Sequence, residues 1–446
     1  MLQYLTRINQ IAWGPGTLIL FAGTGIFFLF VLKGRPWKKL IYALKLLFRP
    51  EISAKGQGMT SFQSAMTALG ACMGTGNIVG VASAMVLGGP GALVWMCLSA
   101  MLGLPVIFSE CILSIAYRKK YHGRYIGGPM YVMQEGIGGR TGAVMAVVFA
   151  VMTMGASFGV GNMTQSNSAG AALTFLWHIP AVWTGLGLMI ALTLVFLMGK
   201  GGVGRVSAVL VPTASAGYLL CAVIVIVIHH ARIGQGIYEM FQMAFSLKAV
   251  SGGIGGAVTV SAYDAMRWGV ARGIFSNEAG LGSAPIAAAG ATGLKSTDQA
   301  YLHMAGAFFD TVIMCSVTGL AIAASGVLGM TDGSGRMLDG VQLTMQAFSC
   351  IPGDGGLWVI GLGMLFFAFS TLIGWAYYGE NALLYLTPSK KARMIYRVLF
   401  CVACFVGAVY ELQTVWLFSD IMNVCMALPN LICLWLMWRE IKALAM

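Results

Sequence analysis

Two glycine-broken stretches decide how this chain folds: Gly70-Ala71-Cys72-Met73-Gly74-Thr75-Gly76-Asn77-Ile78-Val79-Gly80, and Arg272-Gly273-Ile274-Phe275-Ser276-Asn277-Glu278-Ala279-Gly280-Leu281-Gly282-Ser283. Each interrupts an otherwise apolar segment with glycines and polar side chains. Such a break frees backbone carbonyls and amides near the bilayer midplane, where only protein, water or a ligand can satisfy them. The two stretches stand five segments apart and, by the charge bias described below, run in opposite directions. Interrupted segments at matching places in two halves point to inverted five-helix repeats.

The rest of the chain supports a membrane setting. Of 446 residues, 58% are hydrophobic and 9% charged, whereas soluble domains carry roughly 25% charged residues. That composition excludes a soluble enzyme, a disordered chain and a disulfide-stapled secreted module. The 60 glycines follow no G-X-Y period, which excludes collagen. Eleven apolar segments are read as helices: one near 11–32, five between 60 and 228, and five between 253 and 438. No cleavable signal peptide is apparent, and the first segment is long enough to remain as a span.

The net charge of +12 invites a nucleic-acid reading that its distribution defeats. The loops after the odd-numbered segments, together with the C-terminal tail, hold 21 of the 27 lysines and arginines, including Lys33, Arg118, Lys119, Lys390 and Arg393. Their opposite numbers hold Arg7, Arg232, Lys248 and Arg336. That bias puts the N-terminus outside and the C-terminus in the cytoplasm of an inner-membrane protein, and no nucleic acid is expected as a partner. The expected organisation is an extra helix and loop over 1–55, a first repeat over 56–230, and a second with the tail over 231–446.

Several polar groups stand out within apolar frames. The Gly70, Gly74, Gly76 and Gly80 spacing is by itself a packing face, but Asn77 brings a buried amide whose carbonyl suits a small cation, and Thr75 adds a hydroxyl. Around Asp264, Arg267, Arg272 and Glu278, the alternative to an intramembrane break is a water-exposed amphipathic or re-entrant helix. Glu278 costs roughly 2.5–3.5 kcal/mol at the bilayer centre, so it is expected to pair with Arg272 or with a cation. The polar run Asn162–Ser168 is either a solvated helix end or part of a gate. Ser370 and Thr371 either bond back to their own helix or serve as cation ligands, and Thr371 shares a face with Trp375. Glu110, Glu380 and Asp420 are read as interfacial or paired, and Asp310 as an internal brace. The C-x-x-C of Cys401 and Cys404 is read as packing. No H-E-x-x-H, G-x-S-x-G or Walker pattern occurs, and no enzymatic site is visible.

At these residues the chain resembles a known family. Gly-Thr-Gly-Asn-Ile-Val-Gly at 74–80, Gly-Asn-Met-Thr-Gln-Ser-Asn at 161–167 and the stretch from Gly269 to Pro285 look like the alanine-or-glycine:cation symporters. The resemblance covers essentially the whole chain. It implies the leucine-transporter fold: eleven transmembrane helices, ten in two inverted repeats of five plus one extra at the N-terminus. It implies substrate contacts at Thr75, Gly76, Gln165, Phe275, Ser276, Asn277, Thr371 and Trp375. It also implies a sodium site from backbone oxygens near Gly70 and Met73 with the hydroxyls of Ser370 and Thr371, and a weaker second one near Asn77 and Ser276.

On this reading the protein is a sodium-coupled importer of alanine or glycine, without a cofactor beyond sodium as the coupling ion. One charge crossing about 100 mV releases about 2.3 kcal/mol, enough for roughly fifty-fold accumulation. Phe275 and Trp375 would close a pocket sized for a methyl group. Proton coupling through Glu278 is the rival reading. A passive channel would need a continuous polar stripe or charged rings, where the sequence offers isolated breaks.

Overall fold

A computed structural model describes residues 2–49, 58–199, 201–246, 249–253, 256–410 and 412–446. Lys55, Lys200 and Lys248, all counted in the charge bias, lie outside them. The described chain is helical, apart from three two-stranded pieces. It begins with α1 (Leu2–Ala12), α2 (Pro15–Val31), α3 (Arg35–Lys38) and α4 (Leu40–Leu47). The first break separates α5 (Ser61–Cys72) from α6 (Val79–Gly88), and α7 (Gly91–Ala116) follows. Next come α8 (Pro129–Val132), α9 (Gly139–Phe158), α10 (Thr164–Trp177), α11 (Ala181–Leu197), α12 (Gly202–Ile228) and α13 (Ile233–Phe245). The second break separates α14 (Ala262–Asn277) from α15 (Ala284–Ala289). Beyond it lie α16 (Ser296–Ala307), α17 (Ser316–Ser325), α18 (Gly340–Phe348), α19 (Gly355–Leu386), α20 (Lys390–Val409), α21 (Leu412–Leu436) and α22 (Trp438–Ala445). Among the described residues, eight helical runs are long and apolar enough to cross a membrane, and α11 is a shorter apolar helix.

Local chemistry explains where the broken helices start and stop. Thr60 caps α5 in a capping box with Gln63, and Ser261 caps α14 in the same way with Asp264. Each box satisfies two helix-end donors reciprocally. Asp264 is therefore a capping group rather than a buried charge. The seventh apolar segment, expected from Gly253, becomes helical only at Ala262, because β4 (Ala249–Gly253) and β5 (Gly256–Val260) pair as a hairpin before it. α14 ends when Glu278 turns left-handed at φ 57°. Gly280 and Gly282 follow at φ 84° and 78°, a conformation that glycine adopts without a Cβ penalty.

A small clasp joins the two broken helices. β1 (Met59–Thr60), leading into α5, pairs in parallel with β6 (Ala291–Thr292), just beyond α15. The Ser61 hydroxyl donates to the Thr292 carbonyl at 3.2 Å, and Ser64 donates to that of Ala287 at 2.8 Å. The remaining pair, β2 (Lys119–Tyr121) with β3 (Arg124–Ile126), forms a hairpin after α7.

Candidate functional site

The two breaks meet at the centre of the bundle. α5 ends at Met73, whose N–H closes on the Leu69 carbonyl at 2.7 Å and whose sulfur accepts from Ser215 at 3.5 Å. The Thr75–Asn77 turn follows, completely buried. Five π-helical residues, Gly159–Met163, precede α10; widened turns of this kind often mark functional sites. Gln165, one turn later, donates to the Val160 carbonyl and accepts from the Thr75 N–H, both at 2.9 Å. From α19, Thr371 donates to the Gly70 carbonyl at 2.9 Å, while the Ser370 hydroxyl lies 3.2 Å from that carbonyl and 2.9 Å from the Phe367 carbonyl of its own helix, the bond back that the sequence left open. A Cβ on Gly74 would lie 2.6 Å from both Gln165 Oε1 and Thr371 Oγ1. Gly74 is thus where three helices converge.

Phe275 faces this turn from the second break. A Cβ on Gly76 would approach its ring at 3.4 Å. Asn277 keeps its side-chain oxygen on the Ala279 N–H at 2.9 Å, while its Nδ2 has no hydrogen-bond partner. Thr75 Oγ1 and Asn77 Oδ1 are also buried without one. Unpaired buried polar atoms are costly, and these three lie at the two breaks.

Asp310 gathers a second cluster. The residue is fully buried within the π-helical stretch Phe308–Cys315. Ser276 donates to its carboxylate at 2.6 Å, Thr311 at 2.8 Å and Asn77 at 2.9 Å. The sequence reading made Asp310 an internal brace, and its carboxylate joins Asn77 to Ser276. The clue was present in the sequence, since Asp310-Thr311 is an acid beside a hydroxyl inside an apolar helix, and such acids mark ion paths.

Trp375 is completely buried. Its indole N–H donates to Glu278 Oε1 at 2.9 Å, and Ser283 donates to the other carboxylate oxygen. A Cβ on Gly161 would fall inside its side chain, which is why glycine stands there. The expected Glu278–Arg272 pair does not form. Arg272 instead faces Asp420 at 3.4 Å, because Glu278, in its left-handed cap, turns toward Ser283 and Trp375. The Arg272 guanidinium lies 4.7 Å from the Trp416 ring centre, and Trp416 stacks on Phe275 at 4.9 Å. The sequence reading missed Trp416, one helical turn before Asp420.

The other polar groups are also placed. Asn162 and Thr164–Ser168 are buried, not a solvated helix end. Glu110 accepts from Asn430, and Glu380 from Arg397 at 2.9 Å. Cys401 and Cys404 are buried free thiols. On the far side of the breaks from Arg272, a cavity of about 550 Å³ reaches Met59, Gly290, Arg124, Glu380 and Arg393.

Two interrupted helices around a buried polar centre, within a bundle of long apolar helices, define a membrane transporter of the leucine-transporter type. In structure the chain is similar to MhsT in complex with L-phenylalanine, with a TM-score of 0.60 at 14% identity over 87% of this chain and 90% of that one. The sodium:alanine symporter family model matches residues 1–445, and the chain belongs to that family. It is 39% identical to the sodium/alanine symporter AgcS of Methanococcus maripaludis over 439 residues, 97% of this chain and 94% of that one. It is 32% identical to the probable sodium/glutamine symporter GlnT of Bacillus subtilis, over 99% of this chain and 89% of that one. These are transporters, not enzymes.

Proposed function

We propose that this protein imports a small neutral amino acid, alanine or glycine, together with sodium by alternating access across the bacterial inner membrane. The observation that carries the reading is the set of unpartnered polar atoms at the breaks: Thr75 Oγ1, Asn77 Oδ1 and Asn277 Nδ2. A zwitterionic substrate and a cation supply what these groups lack. The substrate carboxylate meets the amides of the Thr75–Gly76 turn, which Gln165 otherwise occupies, while Phe275, Ser276, Asn277, Thr371 and Trp375 bound the pocket.

Gly70, Met73, Ser370 and Thr371 hold one sodium. The shared Gly70 carbonyl already draws both hydroxyls together, and hard neutral oxygens suit the ion. A second sodium at Asn77 and Ser276 gains the Asp310 carboxylate. Eleven passages follow if the two broken helices and α11 join the eight long ones, with repeats over 56–230 and 231–446 and the N-terminus outside. Phe275, Trp416, Arg272 and Asp420 then form the outer gate, and the 550 Å³ cavity is the cytoplasmic vestibule.

The deciding experiment is uptake of labelled alanine and glycine into proteoliposomes, with sodium and proton gradients imposed separately. Sodium-driven uptake of either is expected; uptake that follows only the proton gradient refutes the coupling.

A further inference from the structure

Asp420 sits between two elements that otherwise have little to do with each other. Its Oδ1 faces Arg272 of α14 at 3.4 Å, and its Oδ2 accepts from the Asn9 amide of α1 at 3.4 Å. The Trp13 indole N–H also donates to the Asp420 backbone carbonyl at 3.2 Å. Asn9 and Trp13 are four residues apart, hence on one helical face, and both are buried, at 8% and 3% exposure. Tyr4, Ile8 and Ile11, on the other side of α1, are exposed. Trp13 is further fixed by stacking on Phe21 of α2 at 6.1 Å, so the contact with Asp420 is anchored to the first long helix.

We infer that α1 is a latch on the outer gate, with Asn9 and Trp13 as positioning residues that set how readily Asp420 and Arg272 part. The inference rests on the gate reading given above. A carboxylate with one oxygen held by Asn9 presents the other to Arg272 in a fixed direction. Without the Asn9 donor it can turn, and the guanidinium stacked on Trp416 loses its aligned partner. Closure of the gate is then coupled to a segment that touches neither substrate nor ion.

The test needs no knowledge of the substrate. Hydrogen–deuterium exchange is measured on the full chain in nanodiscs of phosphatidylethanolamine and phosphatidylglycerol. Asn9→Leu should raise exchange across 262–277 about three- to ten-fold, the size of one hydrogen bond's net contribution. Asn9→Gln, which keeps the amide donor, should restore it to within about two-fold by the same measure. In an Arg272→Gln background the Asn9–Asp420 contact survives but no longer leads to α14, so Asn9→Leu should add nothing there. A change confined to 2–12 and 412–436, or one of equal size in both backgrounds, overturns the latch and leaves Asn9 with a packing role. Uptake separates the two readings: if alanine and sodium are not transported while the exchange pattern holds, the substrate assignment fails and the latch stands.

Discussion

Replacing Gly74 with alanine tests the convergence of three helices directly. The added methyl would sit 2.6 Å from both Gln165 Oε1 and Thr371 Oγ1, well inside van der Waals contact. Both neighbours are tied down, Gln165 by the Val160 carbonyl and Thr371 by that of Gly70. Relief requires the turn itself to shift, which displaces the Thr75 and Gly76 amides offered to the substrate carboxylate. Overpacking of this kind costs about 1–3 kcal/mol, which corresponds to a loss of roughly 5- to 150-fold in apparent alanine affinity. Gly76→Ala is the control, because its methyl would make ordinary van der Waals contact with the Phe275 ring at 3.4 Å and the Ser276 Cα at 3.7 Å; a change below about three-fold is expected there. The assay is substrate-dependent thermal stabilisation of the purified variants, followed by uptake into proteoliposomes. Normal alanine affinity in Gly74→Ala, or equal losses in the two variants, would refute the geometry assigned to the first break.

Other substitutions probe the remaining groups. Thr371→Ala removes one of the two hydroxyls on the Gly70 carbonyl, and the sodium concentration for half-maximal uptake should rise well before folding is lost; an unchanged sodium dependence dismisses that ion site. Asp310→Asn keeps the shape of the second cluster but removes its charge, so alanine uptake should lose its dependence on one sodium, read as a lower Hill coefficient; a wild-type sodium curve makes Asp310 a brace after all. Trp375→Leu enlarges the pocket wall and frees Glu278 Oε1, so larger neutral amino acids should compete better and alanine should bind about 1–3 kcal/mol more weakly. If a competition panel keeps its wild-type order, Trp375 does not line the pocket.

The breaks are legible in the amino-acid sequence itself, because glycine beside buried polar residues within apolar segments has few other uses. The partners of the charged residues are not. Arg272 lies close to Glu278 in sequence and reads as one of its two candidate partners, the other being a cation. One left-handed residue at the helix end turns Glu278 toward Ser283 and Trp375, and Arg272 finds Asp420 instead. Asp310 reads as a brace for a similar reason: its bonds to Asn77 and Ser276 span 233 and 34 positions, and no local pattern announces them. The polar run at 162–168 reads equally as a solvated end or a gate, and the π-helical turn at Gly159–Met163 that precedes α10 has no signature in the apolar pattern. α1, α13 and α18 escape a reading by apolar segments because each is too short to stand out as a span.

The clasp of Met59–Thr60 with Ala291–Thr292 also bears on how the molecule is made. A ribosome adding about 5–20 residues per second exposes residue 60 long before residue 291 exists. Throughout that interval the lead-in to α5 lacks its strand partner, and the Ser61 and Ser64 hydroxyls lack their acceptors. The first half of the chain therefore cannot finish its own interrupted helix during synthesis. It must wait, inserted but incomplete, for the second half to close it. Expressed alone, residues 1–230 should behave as an unfinished intermediate, and co-expression with 231–446 should be needed to recover the assembled bundle.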